Sequence, residues 1–103
     1  MKLQAVALQM SAPFGEVDAN RERLAETVRS LGSEPDLVVT PELVVTGYNL
    51  EGFDEGGWEL AEPLDGPTVA MLRRLAAHQH LTVVVGILEE GPDGALYDTA
   101  VIV

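Results

Sequence analysis

The sequence predicts an α/β fold, and three observations carry that prediction. Apolar runs of strand length recur at residues 2–10, 37–40, 81–89 and 96–103; two stretches with helical spacing of apolar residues separate the first three runs; turn residues stand at the joints. Strands that alternate with helices pair in parallel through right-handed crossovers. About four strands and two main helices follow.

Residues 2–10 (KLQAVALQM) carry apolar side chains on both alternating faces, with Leu3, Ala5 and Ala7 on one and Val6, Leu8 and Met10 on the other. That is the pattern of a strand covered on both sides. Pro13 and Gly15 turn the chain, and Asp18 is the expected cap of a helix whose apolar stripe is Leu24, Val28 and Leu31 and which Gly32 closes. Ser33-Glu34-Pro35-Asp36 leads into the short strand 37–40 (LVVT). Residues 49–65 (NLEGFDEGGWELAEPLD) are acidic and contain glycine, and read as an ordered loop with room for one helical turn, anchored by Phe53 and Trp58. Gly66-Pro67 opens a second helix, because proline at the first helical position loses no hydrogen bond; Val69, Leu72, Leu75 and Ala76 form its buried side and it ends near His80. Residues 81–89 (LTVVVGILE) form a third strand. Gly91-Pro92-Asp93-Gly94 turns the chain, and residues 96–103 (LYDTAVIV) return antiparallel.

The 103 residues fit one domain, and 47% hydrophobic content is enough for a core. Seventeen acidic against six basic residues leave 17 − 6 = 11 negative charges, which repel a nucleic-acid backbone or an anionic membrane surface, so neither is expected as a partner. With no cysteine, the chain holds no disulfide, thiolate metal site or cysteine nucleophile of its own. No apolar run approaches the roughly 20 residues that cross a bilayer, and the amino terminus lacks a signal-peptide pattern, so a cytoplasmic location is expected. The closing Ala100-Val101-Ile102-Val103 is apolar, with no turn residue or polar tail after it. Two helices hardly cover both faces of four apolar strands. Residues 1–103 therefore form an incomplete architecture by this reading, and more protein is expected to follow, either in the same polypeptide or as a partner chain covering the sheet.

Glu42 is the residue that points to chemistry. It lies just past the carboxyl end of the second strand, where open α/β sheets gather their ligands. Pro41 keeps Thr40 extended and ends the ladder, so the glutamate stands on a stiff support. Leu43, Val44 and Val45 supply an apolar wall, and desolvation by such a wall raises a carboxyl pKa toward that of a general base working near neutral pH. Position alone favours a charge on the first turn of a short helix. His78 and His80 point different ways on a helix and have no third ligand, so no metal is expected. Glu51, Asp54, Glu55, Glu59 and Glu62 lack the spacing of a calcium loop and read as a solvated acidic surface. Ser11-Ala12-Pro13-Phe14-Gly15 has one glycine, too few for a flavodoxin-like phosphate loop.

The string PELVVTGY (residues 41–48) resembles the glutamate motif of the nitrilase, or carbon-nitrogen hydrolase, superfamily. The resemblance extends over nearly the whole chain: Leu8-Gln9-Met10, Asn20, residues 36–48, Leu64-Asp65-Gly66-Pro67, Val84-Val85-Gly86 and Tyr97-Asp98-Thr99-Ala100 follow in the family's order. It implies the amino-terminal part of a four-layer α-β-β-α sandwich. It also implies hydrolysis of an amide, nitrile or carbamoyl group by a glutamate, a lysine and a cysteine, with no cofactor and with a small-molecule amide or nitrile as substrate; amide is expected before nitrile. Glu42 matches the glutamate, as general base, and Tyr48 is implied to line the substrate pocket, although an anchoring aromatic fits that position as well. A homodimer or larger assembly is implied too. The sequence departs from the family pattern in that Lys2 is its only lysine and cysteine is absent. In the family both catalytic groups come after the strand pair that closes this sequence, so this chain alone is expected to be inactive. The alternative is a non-catalytic truncated or degenerate relative that serves as a binding or scaffolding module.

Overall fold

The computed structural model describes residues 1–103. Its elements are β1 (Ala5–Ala7), α1 (Val17–Leu31), β2 (Leu37–Val39), α2 (Leu50–Asp54), a 3-10 helix (Gly57–Leu60), α3 (Pro67–Gln79), β3 (Thr82–Glu90) and β4 (Leu96–Ile102). The strands form one sheet in the order β1-β2-β3-β4, parallel across the first three and antiparallel at β4. Val38 sits between Val6 and Val83 in this register. Repeated crossovers of one hand, each stepping to the next strand in the same direction, place α1 and α3 on the same face.

The core fills the space between that face and the two helices. Val38, Val83, Val85 and Ile87 from the strands meet Leu24 and Val28 of α1 and Val69, Leu72 and Ala76 of α3. Each large side chain among them contributes about 1.5–3 kcal/mol by leaving water, which is why apolar spacing located both helices in the sequence. Gln79, buried at the end of α3, donates through Nε2 to the carbonyl of Val28 at 2.9 Å and so ties the two helices together at their carboxyl ends. Gly66 and Pro67 open α3 as expected, and His80 closes it in the left-handed conformation, φ 55°. Leu75 is only half-buried, whereas Thr68 and Gln79 are buried.

Four details of the sequence reading are corrected. First, α1 starts at Val17: the Glu16 carbonyl accepts from Asn20 N at 2.8 Å, no side chain caps the helix, and Asp18 lies inside the first turn, where it pairs with Arg21 at 3.1 Å. Second, the acidic loop folds further than one turn. Asn49 caps α2 by accepting from Gly52 N at 3.0 Å, the 3-10 helix follows, Phe53 is buried, and Trp58 stacks on it with ring centroids 4.6 Å apart. Third, Glu62 is no solvated surface charge. Its carboxylate accepts from Thr68 N at 3.0 Å and Thr68 Oγ1 at 2.6 Å and lies 3.6 Å from Arg21, so it caps the amino terminus of α3.

The fourth correction concerns β1, which pairs over three residues only; the sheet is covered by this chain on one face, as two helices for four strands imply. Ala5 and Ala7 are exposed, Val39 is 38% exposed and Ile102 72%. The apolar residues on the second face exist, but α1 and α3 both lie on the first. β1 is thus shorter than its apolar run, with Leu8 N donating to Val39 O at 2.8 Å just beyond its end. No helix is long and apolar enough to cross a membrane.

Candidate active site

β2 stops at Val39, and Pro41 has no N–H to continue a ladder. Substitutes take over the edge of β3. Thr40 N donates to Val84 O at 2.9 Å, Gly86 N donates to Thr40 Oγ1 at 3.2 Å, and Val44 N donates to Gly86 O at 3.2 Å. Farther along, Glu62 N donates to Leu88 O at 3.0 Å and Glu90 N to Glu62 O at 2.8 Å. Glu42 is thus held between two fastenings on β3. Gly86 makes the approach possible: a Cβ there would stand 2.8 Å from Glu42 Cα and 3.1 Å from Pro41 O.

Glu42 opens a turn, not a continuing helix. Leu43 takes a left-handed conformation, φ 49°, which costs a residue with a side chain on the order of 1–3 kcal/mol. Burial against Phe53 and Leu88 offsets that cost, and Gly47 N closes the turn on Leu43 O at 2.8 Å. The amino-terminal segment clamps the same turn from the other side. Asn20 is fully buried; its Nδ2 donates to Pro13 O and Val45 O, both at 2.8 Å, and its Oδ1 accepts from Arg23 Nη1 at 3.1 Å. Gly15 N donates to Thr46 O at 2.9 Å, and Gly47, at φ 76°, packs so closely on the Ala12 carbonyl and Phe14 that no Cβ fits.

The Glu42 side chain borders a cavity of about 270 Å³. Leu43, Phe53 and Leu88 line it from the buried side, Tyr48, Leu50 and Trp58 from the loop, and Leu96, Tyr97 and Asp98 from β4. Tyr48 is 64% exposed and lines the same cavity as Glu42. A larger surface depression, about 700 Å³, lies at the amino ends of β1 and β2, the end of an open α/β sheet where ligands are not gathered.

The Glu42 carboxyl is held above the ordinary carboxylate range. The negative charge of Asp98 is the main cause, followed by partial loss of water and by a hydrogen bond with Asp98. The apolar wall is therefore the lesser influence, and Glu42 is more exposed than its neighbours Leu43, Val44 and Val45 imply. Asp98 has no assigned role in the sequence reading, where it is only part of the closing strand. The signal that finds it is register, since Asp98 pairs with Leu88 and Ala100 with Gly86, on the face where Glu42 rests. His78 and His80 sit at the far end of α3, and no three His, Asp or Glu side chains converge on a metal-binding geometry.

Comparison with known proteins decides the family. The carbon-nitrogen hydrolase profile matches residues 4–103. This chain belongs to the carbon-nitrogen hydrolase family. It is 33% identical over 98 residues to a nitrilase of Pyrococcus abyssi, covering 93% of this chain and 37% of the relative. It is 29% identical over 106 residues to an (R)-stereoselective amidase of a Pseudomonas species, covering all of this chain and 35% of that one. Among solved structures, XC1258 of Xanthomonas campestris, a CN-hydrolase superfamily protein with an arsenic adduct in its active site, superposes with a TM-score of 0.73 at 29% identity, over 94% of this chain and 40% of the other. The carbon-nitrogen hydrolase chain described here spans about a third of the length of the curated relatives it matches.

Proposed function

We propose that this chain is the amino-terminal part of an enzyme that hydrolyses non-peptide carbon-nitrogen bonds, amides before nitriles or carbamoyl groups, with Glu42 as general base. One observation carries the reading. Glu42 stands on a turn fastened to β3 on both sides, at the carboxyl end of the parallel strands, and borders a cavity with largely apolar walls. Its raised proton affinity suits a group that must take a proton and return it near neutral pH.

The chemistry needs a cysteine and a lysine from polypeptide outside residues 1–103. The thiol sulfur attacks the amide carbon while its proton passes to Glu42, and the lysine ammonium steadies the oxyanion. Collapse of the adduct expels the amine, which takes the proton back from Glu42. A thioester remains. Water, deprotonated by Glu42, then attacks the thioester carbon, and the thiolate leaves and recovers that proton, so amide and water become acid and amine. Tyr48, on the cavity wall, is proposed to contact the acyl group.

The test is amide turnover by a polypeptide that joins this chain to the lysine- and cysteine-bearing remainder. Glu42→Gln is expected to abolish turnover with the fold intact, and the 103-residue chain alone to turn over nothing. A joined wild-type protein with a lysine and a cysteine in place but no hydrolysis of any amide, nitrile or carbamoyl compound would favour a binding or scaffolding module.

A further inference from the structure

Two carboxyl-bearing residues line the cavity, and the role of base accounts for one. The other, Asp98, arrives by strand register. Asp98 pairs with Leu88 and Ala100 with Gly86, and alternate residues share a face, so Asp98 stands on the face where Glu42 rests its Cα against Gly86. Gly86 and Asp98 are diagonal positions on neighbouring strands, about 7–8 Å apart at the backbone, within reach of a glutamate side chain that starts over Gly86 and bends toward the aspartate. The other titratable groups on the cavity wall are Tyr48 from the loop and Tyr97 from β4. No lysine, arginine or histidine of this chain lines it. The nearest acid on β3, Glu89, lies on the opposite face, where it accepts from Thr99 Oγ1 at 2.7 Å.

We propose that Glu42 and Asp98 act as one carboxyl pair holding a single proton between them, with Asp98 the positioning residue that fixes where the Glu42 carboxyl points. This rests on the reading of Glu42 as the base and deepens it. A glutamate at the exposed end of a turn is free to swing, whereas an O–H···O⁻ bond between two carboxyls is short and strong. Two carboxylates on one cavity wall resist full ionisation, and the raised proton affinity of Glu42, caused chiefly by Asp98, agrees with one retained proton. The pair then works as a relay. Glu42 accepts the thiol proton on the oxygen facing the substrate while the shared proton moves onto Asp98; when the amine leaves, Glu42 gives its proton up and the shared proton returns between the two. Protons balance at each stage, and the pair alternates between one negative charge and none.

The experiment is a pH titration of the side-chain carboxyl carbons of Glu42 and Asp98 by NMR in the polypeptide that joins this chain to its lysine- and cysteine-bearing remainder, wild type and Asp98→Asn. A pair makes both carbons respond at the same two midpoints, because each reports the other's proton. In Asp98→Asn, Glu42 is expected to titrate in one step, at lower pH than its upper wild-type midpoint. If that variant fails to fold, the shared midpoints in the wild-type protein decide alone. A single Glu42 step at the ordinary glutamate position, indifferent to Asp98, overturns the proposal. That outcome is distinguishable from failure of the base reading, because loss of turnover in Glu42→Gln with independent titrations leaves the base and removes only the pair.

Discussion

The side-chain amide of Asn20 donates to the carbonyl oxygen of Val45 at 2.8 Å, joining residues 25 positions apart in the sequence. Through this bond and its companion to Pro13 O, α1 and the segment before it grip the turn that opens with Glu42. The same turn is fastened to β3 through Thr40 and Val44. The carboxylate thus stands on backbone held from two independent sides, which is how a short irregular segment keeps a defined geometry without a helix or strand of its own.

Asn20→Ala is expected to destabilise the chain by about 1–3 kcal/mol, since it leaves the Val45 carbonyl buried and without its donor. Urea denaturation measures the loss. Amide exchange adds location: protection at Gly15 and Gly47, whose N–H groups bond within this clamp, should fall more than at Val83 in the centre of the sheet.

Gly86→Ala tests the close approach of the turn to β3. The added methyl would stand 2.8 Å from Glu42 Cα, so the turn has to move and about 1–3 kcal/mol of stability is expected to go with it. Chemical shifts should change around Glu42 and leave α3 unaffected. An unperturbed Glu42 would mean that the turn does not lie on Gly86.

Much of this arrangement was legible in the sequence, and what was not has identifiable causes. The helices were legible because Leu24 and Val28, and Val69, Leu72 and Ala76, repeat at helical spacing and bury where that spacing places them. The place of Glu42 just past a strand end was legible because Pro41 ends that strand. Asp98 was not, because its place beside Glu42 depends on the pairing of β4 with β3, and register is a property of two strands at once. Glu62 was misread for a related reason: its partners Thr68 and Arg21 come from two helices that only tertiary packing brings together. The one-sided cover of the sheet was legible because two helices are too few for both faces of four strands, but the face they choose was not, since apolar residues occur on both faces and alternation does not decide between them.

Thr68→Val checks that corrected reading of Glu62. Thr68 Oγ1 donates to Glu62 at 2.6 Å and accepts from Arg21 Nε at 3.1 Å, so its loss should cost about 1–3 kcal/mol by urea denaturation, with fraying at the start of α3. A neutral result would return Glu62 to the solvated surface.

The pH dependence of stability follows from the Glu42 shift. Its folded pKa lies above the unfolded value, so between the two the native state binds more protons, and stability falls as pH rises from the ordinary glutamate range through the folded pKa. Glu42→Gln removes that decline. Unfolding free energies measured across acidic to neutral pH should fall less steeply in the variant than in the wild type, and parallel curves would count against the charge of Asp98 as the cause.

The most direct measurement is kcat/KM for a simple amide, in a polypeptide that unites this chain with the lysine- and cysteine-bearing remainder, for wild type and Glu42→Gln. General acid–base groups contribute roughly 10²- to 10⁴-fold, and a glutamine of the same shape supplies none of it, so a loss at least that large with an unchanged unfolding midpoint is the predicted result. Near-wild-type turnover in the variant would contradict the account.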